Sequence, residues 1–192
     1  MRIIAGEYRG RVIEAPKGMQ TRPTTDRVRE SLMSAISSAL DGFEGLRVYD
    51  VFAGSGALGI ECLSRGAAFA LFSDRDSRVC SLVTGNLRSL GVPSERYKVL
   101  NADVLQRPPA VGGPFSLVLL DPPYATSPEA VRRLLENLEE RGALMPEVLI
   151  TYEHAAQTDI SALTSGTLLS LYSTATKRYG DIAIDFLRKA ES

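Results

Sequence analysis

The sequence predicts an α/β fold with a Rossmann-like, mainly parallel sheet, and three observations lead to that prediction. From Leu46 onward, short apolar runs alternate with segments of helical periodicity, which is the pattern of a parallel sheet covered by helices on both faces. A loop with G-x-G-x-x-G spacing, residues 54–59, follows the first run and opens a helix. Near the end of the chain the alternation stops, and two strand-like segments flank a turn, which indicates an antiparallel hairpin at the sheet edge.

The apolar runs and the helical segments give the expected order of the elements. Five strands are predicted ahead of the hairpin: 46–52, 68–73, 97–100, 115–120 and 148–152. Helices are predicted over 57–64 and 77–90, and a third begins after Ser127 as its cap, with Pro128 in the first turn. The hairpin strands are expected at 167–177 and 181–187. With them the sheet has seven strands, five in a parallel part and two in the hairpin.

An extension precedes the sheet. Two short strands are expected at 2–5 and 11–15, forming a small β-hairpin. A helix should follow from about Asp26, capped by Thr24 or Thr25, and end at Gly42. We therefore divide the chain into an N-terminal hairpin and helix, residues 1–44, and a sheet domain, residues 45–192.

Composition limits the class of protein. The chain has 192 residues, of which 44% are hydrophobic, and this is enough for one globular core. We expect no signal peptide, membrane span or metal site, and we interpret the two cysteines as reduced thiols of a cytoplasmic protein. Residues 1–29 carry seven Lys or Arg against three acidic residues, whereas the whole chain has a net charge of -1. A basic arm on an acidic body favours a polyanionic partner.

Acidic residues surround the predicted glycine loop. Asp74 lies twenty residues after Gly54, at the expected end of the second strand, where it can hold ribose hydroxyls. The loop alone fits either a nicotinamide dinucleotide or S-adenosylmethionine. Asp50 at the end of the first strand places a carboxylate where a cationic ligand is attracted and a pyrophosphate is repelled. Asp103, after the third strand, can accept a hydrogen bond from an adenine amine, so S-adenosylmethionine is favoured.

The segment Asp121-Pro122-Pro123-Tyr124 follows the fourth apolar run, at the edge where open α/β sheets bind ligands. The two prolines have no N–H and hold their predecessors extended, so the loop offers acceptors and almost no donors. Asp121 and the Pro122 carbonyl can each accept one N–H of an aromatic amine, while Tyr124 stacks on its ring. A methyl donor over the first three strands, next to an amine at the fourth, predicts methyl transfer to nitrogen.

These motifs together resemble the RsmD-type family of small-subunit (16S) ribosomal RNA guanine-N2 methyltransferases, over nearly the whole chain. The glycine loop and Asp-Pro-Pro-Tyr are common to many amine methyltransferases, whereas the run from Thr21 to Glu30 is far more specific. The similarity rests on these segments: MRIIAG at 1–6, YRGR at 8–11, TRPTTDRVRE at 21–30, FAGSGALG at 52–59, LSRG at 63–66 and DPPY at 121–124.

The resemblance implies roles for individual residues. Its implied cofactor contacts are Asp50, Ala53, Gly54, Gly56, Asp74 and Asp103, closed over by Thr24, Arg27 or Glu30. It implies that Asp121, Pro122 and Tyr124 hold the guanine and that Arg2, Arg9, Arg11 and Arg22 hold the RNA. The family usually has Glu where this chain has Asp74, so Asp76 can compete for the ribose. The implied partner is small-subunit ribosomal RNA, within a ribosomal particle, and the implied fold is a seven-stranded methyltransferase sheet.

Other functions stay open at this point. The methyl acceptor can instead be a DNA adenine or a protein glutamine, although the chain has no separate target-recognition domain. A nicotinamide oxidoreductase is disfavoured because no Tyr-Lys or His acid-base pair is evident, and a non-catalytic assembly factor is disfavoured by the intact glycine loop. The target nucleotide and the choice between naked RNA and a particle are open. We interpret His154 as structural and Tyr179 as a hairpin-turn residue.

Overall fold

The computed structural model describes residues 1–16, 23–109, 111–165 and 169–190, without the side chains of 23–25. The strands are β1 (Arg47–Asp50), β2 (Phe69–Asp74), β3 (Tyr97–Asn101), β4 (Phe115–Leu120), β5 (Leu144–Ala155), β6 (Leu171–Tyr179) and β7 (Ile182–Lys189). The helices are α1 (Pro23–Leu40), α2 (Ala57–Ser64), α3 (Ser77–Leu90), α4 (Pro128–Glu140) and α5 (Ser161–Thr164). None of the described helices is long and apolar enough to cross a membrane.

The seven strands form one sheet in the order β3-β2-β1-β4-β5-β7-β6. Strands β1 to β5 pair in parallel, whereas β7 pairs antiparallel with both β5 and β6. This arrangement confirms the predicted Rossmann-like fold with its antiparallel C-terminal hairpin. The strand order reverses between β1 and β4, and a reversal of this kind opens a ligand-binding crevice at the carboxyl ends of the strands.

Helices cover both faces of the sheet. The first three helices pack on one face, where Leu32, Ile60 and Val83 join a cluster with Leu119 and Leu149. Helices α4 and α5 pack on the other face, against side chains that include Tyr49, Val118 and Ile150. Because both faces of the central strands are buried, those strands appear in the sequence as continuous apolar runs.

The bounds of α2, α3 and β4 are those predicted, and several others differ. Strand β5 begins at Leu144, four residues earlier than expected, and its pairing with β4 is irregular between Phe115 and Leu117. The early part of β5 contains Pro146, which has no N–H, so the sequence does not suggest a strand there. Helix α1 begins at Pro23, which places Thr24 and Thr25 inside its first turn rather than at its cap. The four-residue α5 is too short to produce a periodic pattern.

The two predicted N-terminal strands are reduced to a single antiparallel bridge between Arg2 and Val12. Glu7 donates its backbone N–H to the Ser64 carbonyl at 2.6 Å, and Tyr8 donates to the Ser64 hydroxyl at 3.0 Å. The connecting residues therefore use their hydrogen bonds on the end of α2 instead of extending a strand ladder. Gly6, with φ of 82°, makes the close approach possible, because a Cβ there would lie 1.8 Å from the Ser64 carbonyl oxygen.

A buried carboxylate joins the N-terminal segment to both helices beneath it. Glu61 of α2 is fully buried and accepts a hydrogen bond from the Ile4 backbone at 2.6 Å. Its carboxylate also pairs with Arg29 of α1 at 3.5 Å and with Arg65 at 3.4 Å. The Arg29 guanidinium in turn donates to the Arg2 carbonyl at 2.6 Å. These contacts hold the first residues of the chain against helices α1 and α2.

Candidate active site

The glycine loop lies between β1 and α2, beside the reversal in strand order. Gly54 and Gly56 have positive φ, 53° and 77°, and Gly56 is the N-cap of α2. The loop is fastened to β2 at two points, because Gly54 donates to the Asp74 carboxylate at 3.2 Å and Ala53 donates to the Ser73 carbonyl at 2.9 Å. The start of α2 therefore faces the crevice, and the loop residues that precede it have small side chains or none.

Gly59, the third glycine of the loop motif, lets α2 lie directly on the sheet. A Cβ at this position would lie 2.4 Å from the Phe72 ring and 3.2 Å from the Asp50 Cβ. The Gly59 N–H donates to the Asp50 carboxylate at 3.0 Å, so the close contact also fixes that side chain. The glycine is thus needed for helix-sheet packing rather than for a special φ.

Replacing Gly59 with Ala is expected to destabilise the protein by about 1–3 kcal/mol, because the added methyl overlaps the Phe72 ring in a packed interior. The matched control is Gly85→Ala in α3, where an added Cβ meets nothing within 4 Å. That control is expected to stabilise the protein by about 1 kcal/mol through helix propensity. Urea denaturation of both variants measures the difference. Equal midpoints for the two would contradict the packing role of Gly59.

Asp50 is a buried carboxylate at the end of β1, 2% exposed. Its pKa is raised to about 7, mainly by burial and in addition by the nearby carboxylates of Asp121 and Asp74, against the lowering effect of the Gly59 N–H. A cation placed here would favour the ionised form and remove the repulsion among the three carboxylates.

The ends of β2 and β3 carry the other acidic residues predicted for the cofactor. Asp74 accepts the N–H groups of Gly54 and Asp76, one on each oxygen. Asp76 caps α3 and pairs with Arg78 at 2.7 Å, and this pairing lowers its pKa to about 2. Asp76 is thus engaged at the start of α3, and Asp74 is engaged with the glycine loop. Asp103 accepts hydrogen bonds from the Leu105 backbone and the Gln106 side chain.

The Asp-Pro-Pro-Tyr segment directly follows β4. Asp121 is reached by solvent in this structure, yet the protein atoms crowded around it raise its pKa to about 6 by desolvation. Pro122 is buried and Tyr124 is 75% exposed. The Pro123 carbonyl accepts the Thr126 N–H at 2.8 Å, so the segment turns back toward Ser127, the cap of α4. The loop therefore presents the Asp121 carboxylate and the Tyr124 ring at its surface.

A fourth carboxylate lies beside these residues and was not among the predicted ones. Glu153 of β5 is one position beyond the Leu120–Tyr152 pair, which sets it next to Asp121 on the neighbouring strand. Side chains alternate along strands, so residues two or four positions apart point to the same face of the sheet. On each of the four strands, an apolar residue that packs against the first three helices shares its face with the carboxylate: Val48 with Asp50, Phe72 with Asp74, Leu119 with Asp121 and Leu149 with Glu153. The alternation of side chains along β5 would predict which face Glu153 points to. Its position beside Asp121 also depends on the register between β5 and β4, which the sequence does not give.

Comparison with known proteins matches this chain over most of its length. The model of the family described as Conserved hypothetical protein 95 matches residues 1–188. Ribosomal RNA small subunit methyltransferase D of Escherichia coli (strain K12) is 39% identical over 157 residues, which are 80% of this chain and 74% of that protein. The chain belongs to the ribosomal RNA small subunit methyltransferase D family. This confirms the resemblance inferred from the sequence motifs.

Solved structures share the fold of this chain. The structure of yhhF from Escherichia coli is 32% identical, with a TM-score of 0.80 over 100% of this chain and 99% of that chain. Magnesium protoporphyrin IX methyltransferase from Synechocystis, solved with bound S-adenosylmethionine, is 16% identical, with a TM-score of 0.65 over 87% of this chain and 80% of that chain. The second likeness is one of fold alone.

The predicted lid and RNA residues of this methyltransferase D family member are only partly described. Arg22 and the Thr24 side chain lie outside the described residues. Arg27 and Glu30 are exposed on α1, which packs on the carboxylate-bearing face. Arg2, Arg9 and Arg11 are exposed as well. Arg11 donates to the carbonyls of Ser89 and Leu90 at the end of α3, and Arg2 donates to the Gly10 carbonyl, so these two also stabilise the N-terminal segment.

Two further residues singled out in the sequence have structural contacts. His154 of β5 is buried, and its ring lies 2.7 Å from the Asp185 carboxylate of β7 and 2.8 Å from the Ala155 carbonyl. The Tyr179 hydroxyl, at the end of β6, donates to the Ser31 hydroxyl of α1 at 2.5 Å. This contact fastens the C-terminal hairpin to the N-terminal helix at the same edge of the sheet.

Proposed function

We propose that this protein transfers a methyl group from S-adenosylmethionine to the exocyclic N2 amine of a guanine in small-subunit ribosomal RNA. One observation supports the proposal most strongly. The loop after β4, which has acceptors and few donors, lies beside the carboxylate-lined glycine loop, at the point where the strand order reverses. A cationic methyl donor and an aromatic amine would therefore meet at one crevice, and family membership directs the choice of acceptor to ribosomal RNA.

The cofactor side of this proposal uses the residues around the glycine loop. Bound S-adenosylmethionine supplies an electrophilic methyl group on a positively charged sulfur. The residues that would hold it are Asp50, Ala53, Gly54, Gly56, Asp74 and Asp103, with Thr24, Arg27 and Glu30 closing over it. The Asp50 carboxylate would attract the cationic part, and that positive charge would lower the pKa that burial raises. The Asp74 carboxylate accepts from the ribose hydroxyls at the tip of β2.

On the acceptor side, Asp121 and the Pro122 carbonyl each accept one N–H of the guanine amine, and Tyr124 stacks on the base. The amine lone pair is conjugated with the ring, so its orientation toward the methyl group supplies most of the rate. In the transfer, a nitrogen-to-carbon bond forms as the sulfur-to-methyl bond breaks, which leaves S-adenosylhomocysteine. The proton lost from nitrogen passes to Asp121, whose pKa near 6 suits a base that is ionised at neutral pH.

The RNA side rests on the basic N-terminal arm. Arg2, Arg9, Arg11 and Arg22 would hold phosphates that flank the target nucleotide, with an affinity that falls as salt increases. A base in a helix must leave its stack to reach the crevice, so loops or unstructured segments are the favoured targets. We place this reaction in the cytoplasm, on ribosomal RNA within a ribosomal particle.

The acceptor class can be tested with labelled S-adenosylmethionine. The label is offered with small-subunit particles that lack methylation, with free ribosomal RNA, with duplex DNA and with ribosomal protein. We expect the label to enter RNA, and to enter it faster in particles than in free RNA. Label in DNA or protein with none in RNA, or no transfer at all despite tight cofactor binding, would contradict the proposed function.

A further inference from the structure

Glu153 has no part in the chemistry described so far, although it is the nearest strand neighbour of Asp121. It lies on the side of Asp121 away from the glycine loop, because the strand order places β1 on one side of β4 and β5 on the other. The cofactor side of the crevice is therefore bounded by Asp50 and the opposite side by Glu153. The part of a bound base that extends away from the methyl donor would therefore lie next to the Glu153 carboxyl group.

The recess at that position is built largely from the acceptor loop itself. It is shallow and open, with a cavity volume of about 20 Å³, and Pro122, Pro123 and Tyr124 form one wall. Tyr152, Glu153 and Thr158 line the other side. Glu153 is the carboxylic acid of this lining, half-buried between the loop and the end of β5. A planar base stacked on Tyr124 would lie over this open recess with its edge toward Glu153.

We propose that Glu153 reads the Watson–Crick edge of the target guanine, by accepting a hydrogen bond from N1–H and donating one to O6. This inference rests on the proposed function. The N2 amine, N1 and O6 follow one another along the same edge of guanine, so a base whose amine is held by Asp121 directs N1 and O6 toward β5. Flipped or unpaired bases are commonly read through this edge.

The neutral acid is the form that fits both atoms, since it has one donor and one acceptor. The pKa of Glu153 is raised to about 8, mainly by desolvation and in addition by the carboxylate of Asp121. Asp50 and Asp74 lie on the same face of the sheet and add negative charge. On β7, the residue paired with Glu153 is the apolar Ile184. Lys177 of β6 pairs with Ile184 on its other side, and its ammonium donates to the Ser31 hydroxyl of α1 at 3.5 Å. The charged α1 residues Arg27 and Glu30 are exposed.

This pairing also favours guanine over adenine. If adenine presented its own amine to Asp121, the neighbouring ring nitrogen would be an acceptor without hydrogen, and the next position would be a C–H. Glu153 could then form one hydrogen bond of the two. The carboxyl group would therefore contribute to base selection as well as to orientation.

The test compares Glu153→Ala and Glu153→Gln with the wild-type protein on unmethylated small-subunit particles between pH 6 and 9. A glutamine side chain keeps one donor and one acceptor but cannot ionise, whereas alanine has neither. We expect Glu153→Ala to lower kcat/KM at pH 7 by about tenfold or more, the cost of one bidentate base contact. Glu153→Gln should restore most of that loss. The control is Glu147→Gln, an exposed carboxylate at the opposite end of β5.

The pH profile separates base reading from a merely structural role. Wild-type and Glu147→Gln activity should fall as pH rises through about 8, where Glu153 ionises, and Glu153→Gln should lack this fall. Retention of the alkaline fall in Glu153→Gln would overturn the inference, as would wild-type activity in Glu153→Ala. If the alanine variant does not fold, the glutamine profile decides. Analysis of the wild-type product separates the two proposals. If the product is N2-methylguanosine but the Glu153 variants behave like the wild type, only the role of Glu153 is overturned.

Discussion

Replacing Asp121 with Ala is expected to lower methyl transfer by about a hundred- to a thousandfold, the usual cost of losing a group that stabilises developing charge and accepts the proton. Two effects combine, because the amine loses one of its two acceptors and its proton loses a nearby base. Cofactor affinity should change little, since the described contacts of the glycine loop are made by Asp50 and Asp74. Single-turnover transfer and calorimetric binding of S-adenosylmethionine measure the two quantities separately.

Glu147→Ala is the matched control for the loss of a carboxylate, because it lies on the sheet but far from the crevice edge. It should transfer methyl at the wild-type rate. Turnover of Asp121→Ala above about a tenth of wild type would remove Asp121 from the chemistry, since positioned acid-base groups contribute far more than that. Loss of cofactor binding in the variant would mean that the residue serves the donor rather than the acceptor.

Replacing Glu61 with Ala is expected to lower the free energy of unfolding by about 3–5 kcal/mol, as for other buried ion pairs broken at one partner. The reason is that Arg29, which is 5% exposed, would keep its charge in the interior with only the exposed Asp26, at 3.1 Å, as a counter-ion. The Ile4 N–H would also lose its acceptor. Urea denaturation should show the loss as a lower midpoint.

Glu7→Ala provides the comparison for this second prediction. Glu7 pairs with Arg96 at 3.3 Å, but its side chain is 60% exposed. Removing an exposed pair of this kind should cost less than about 1 kcal/mol. Similar midpoints for the two variants would show that the Glu61 cluster does not hold the N-terminal segment in place.

The sequence predicts the parallel part of the fold well, for physical reasons visible in particular elements. Helix α3 has a carboxylate cap at Asp76, a periodic apolar stripe and Gly91 with φ of 76° after its end, so its bounds follow from local chemistry. Strand β4 is a short apolar run buried on both faces. In contrast, the N-terminal segment is shaped by contacts with Ser64 and Glu61, more than fifty residues away, and such contacts leave no local pattern.

In the candidate site too, some features follow from the local sequence and others depend on tertiary contacts. Asp50, Asp74 and Asp121 end predicted strands, and the carboxyl ends of parallel strands meet at one edge, so their convergence follows from the fold class alone. Glu153 lies inside β5, whose extension past Tyr152 and register with β4 are tertiary properties. Arg11 appears in the sequence as one more basic residue, yet its guanidinium also caps the end of α3.

The most direct test of the account is to identify the methylated nucleoside. Small-subunit particles lacking methylation are incubated with the protein and labelled S-adenosylmethionine, and the RNA is digested to nucleosides and separated. We predict a single labelled product, N2-methylguanosine, which is absent when Asp121→Ala replaces the wild type. Label in N6-methyladenosine, in a ring-carbon methylated pyrimidine or in a ribose would contradict the assignment of the acceptor loop to a guanine amine.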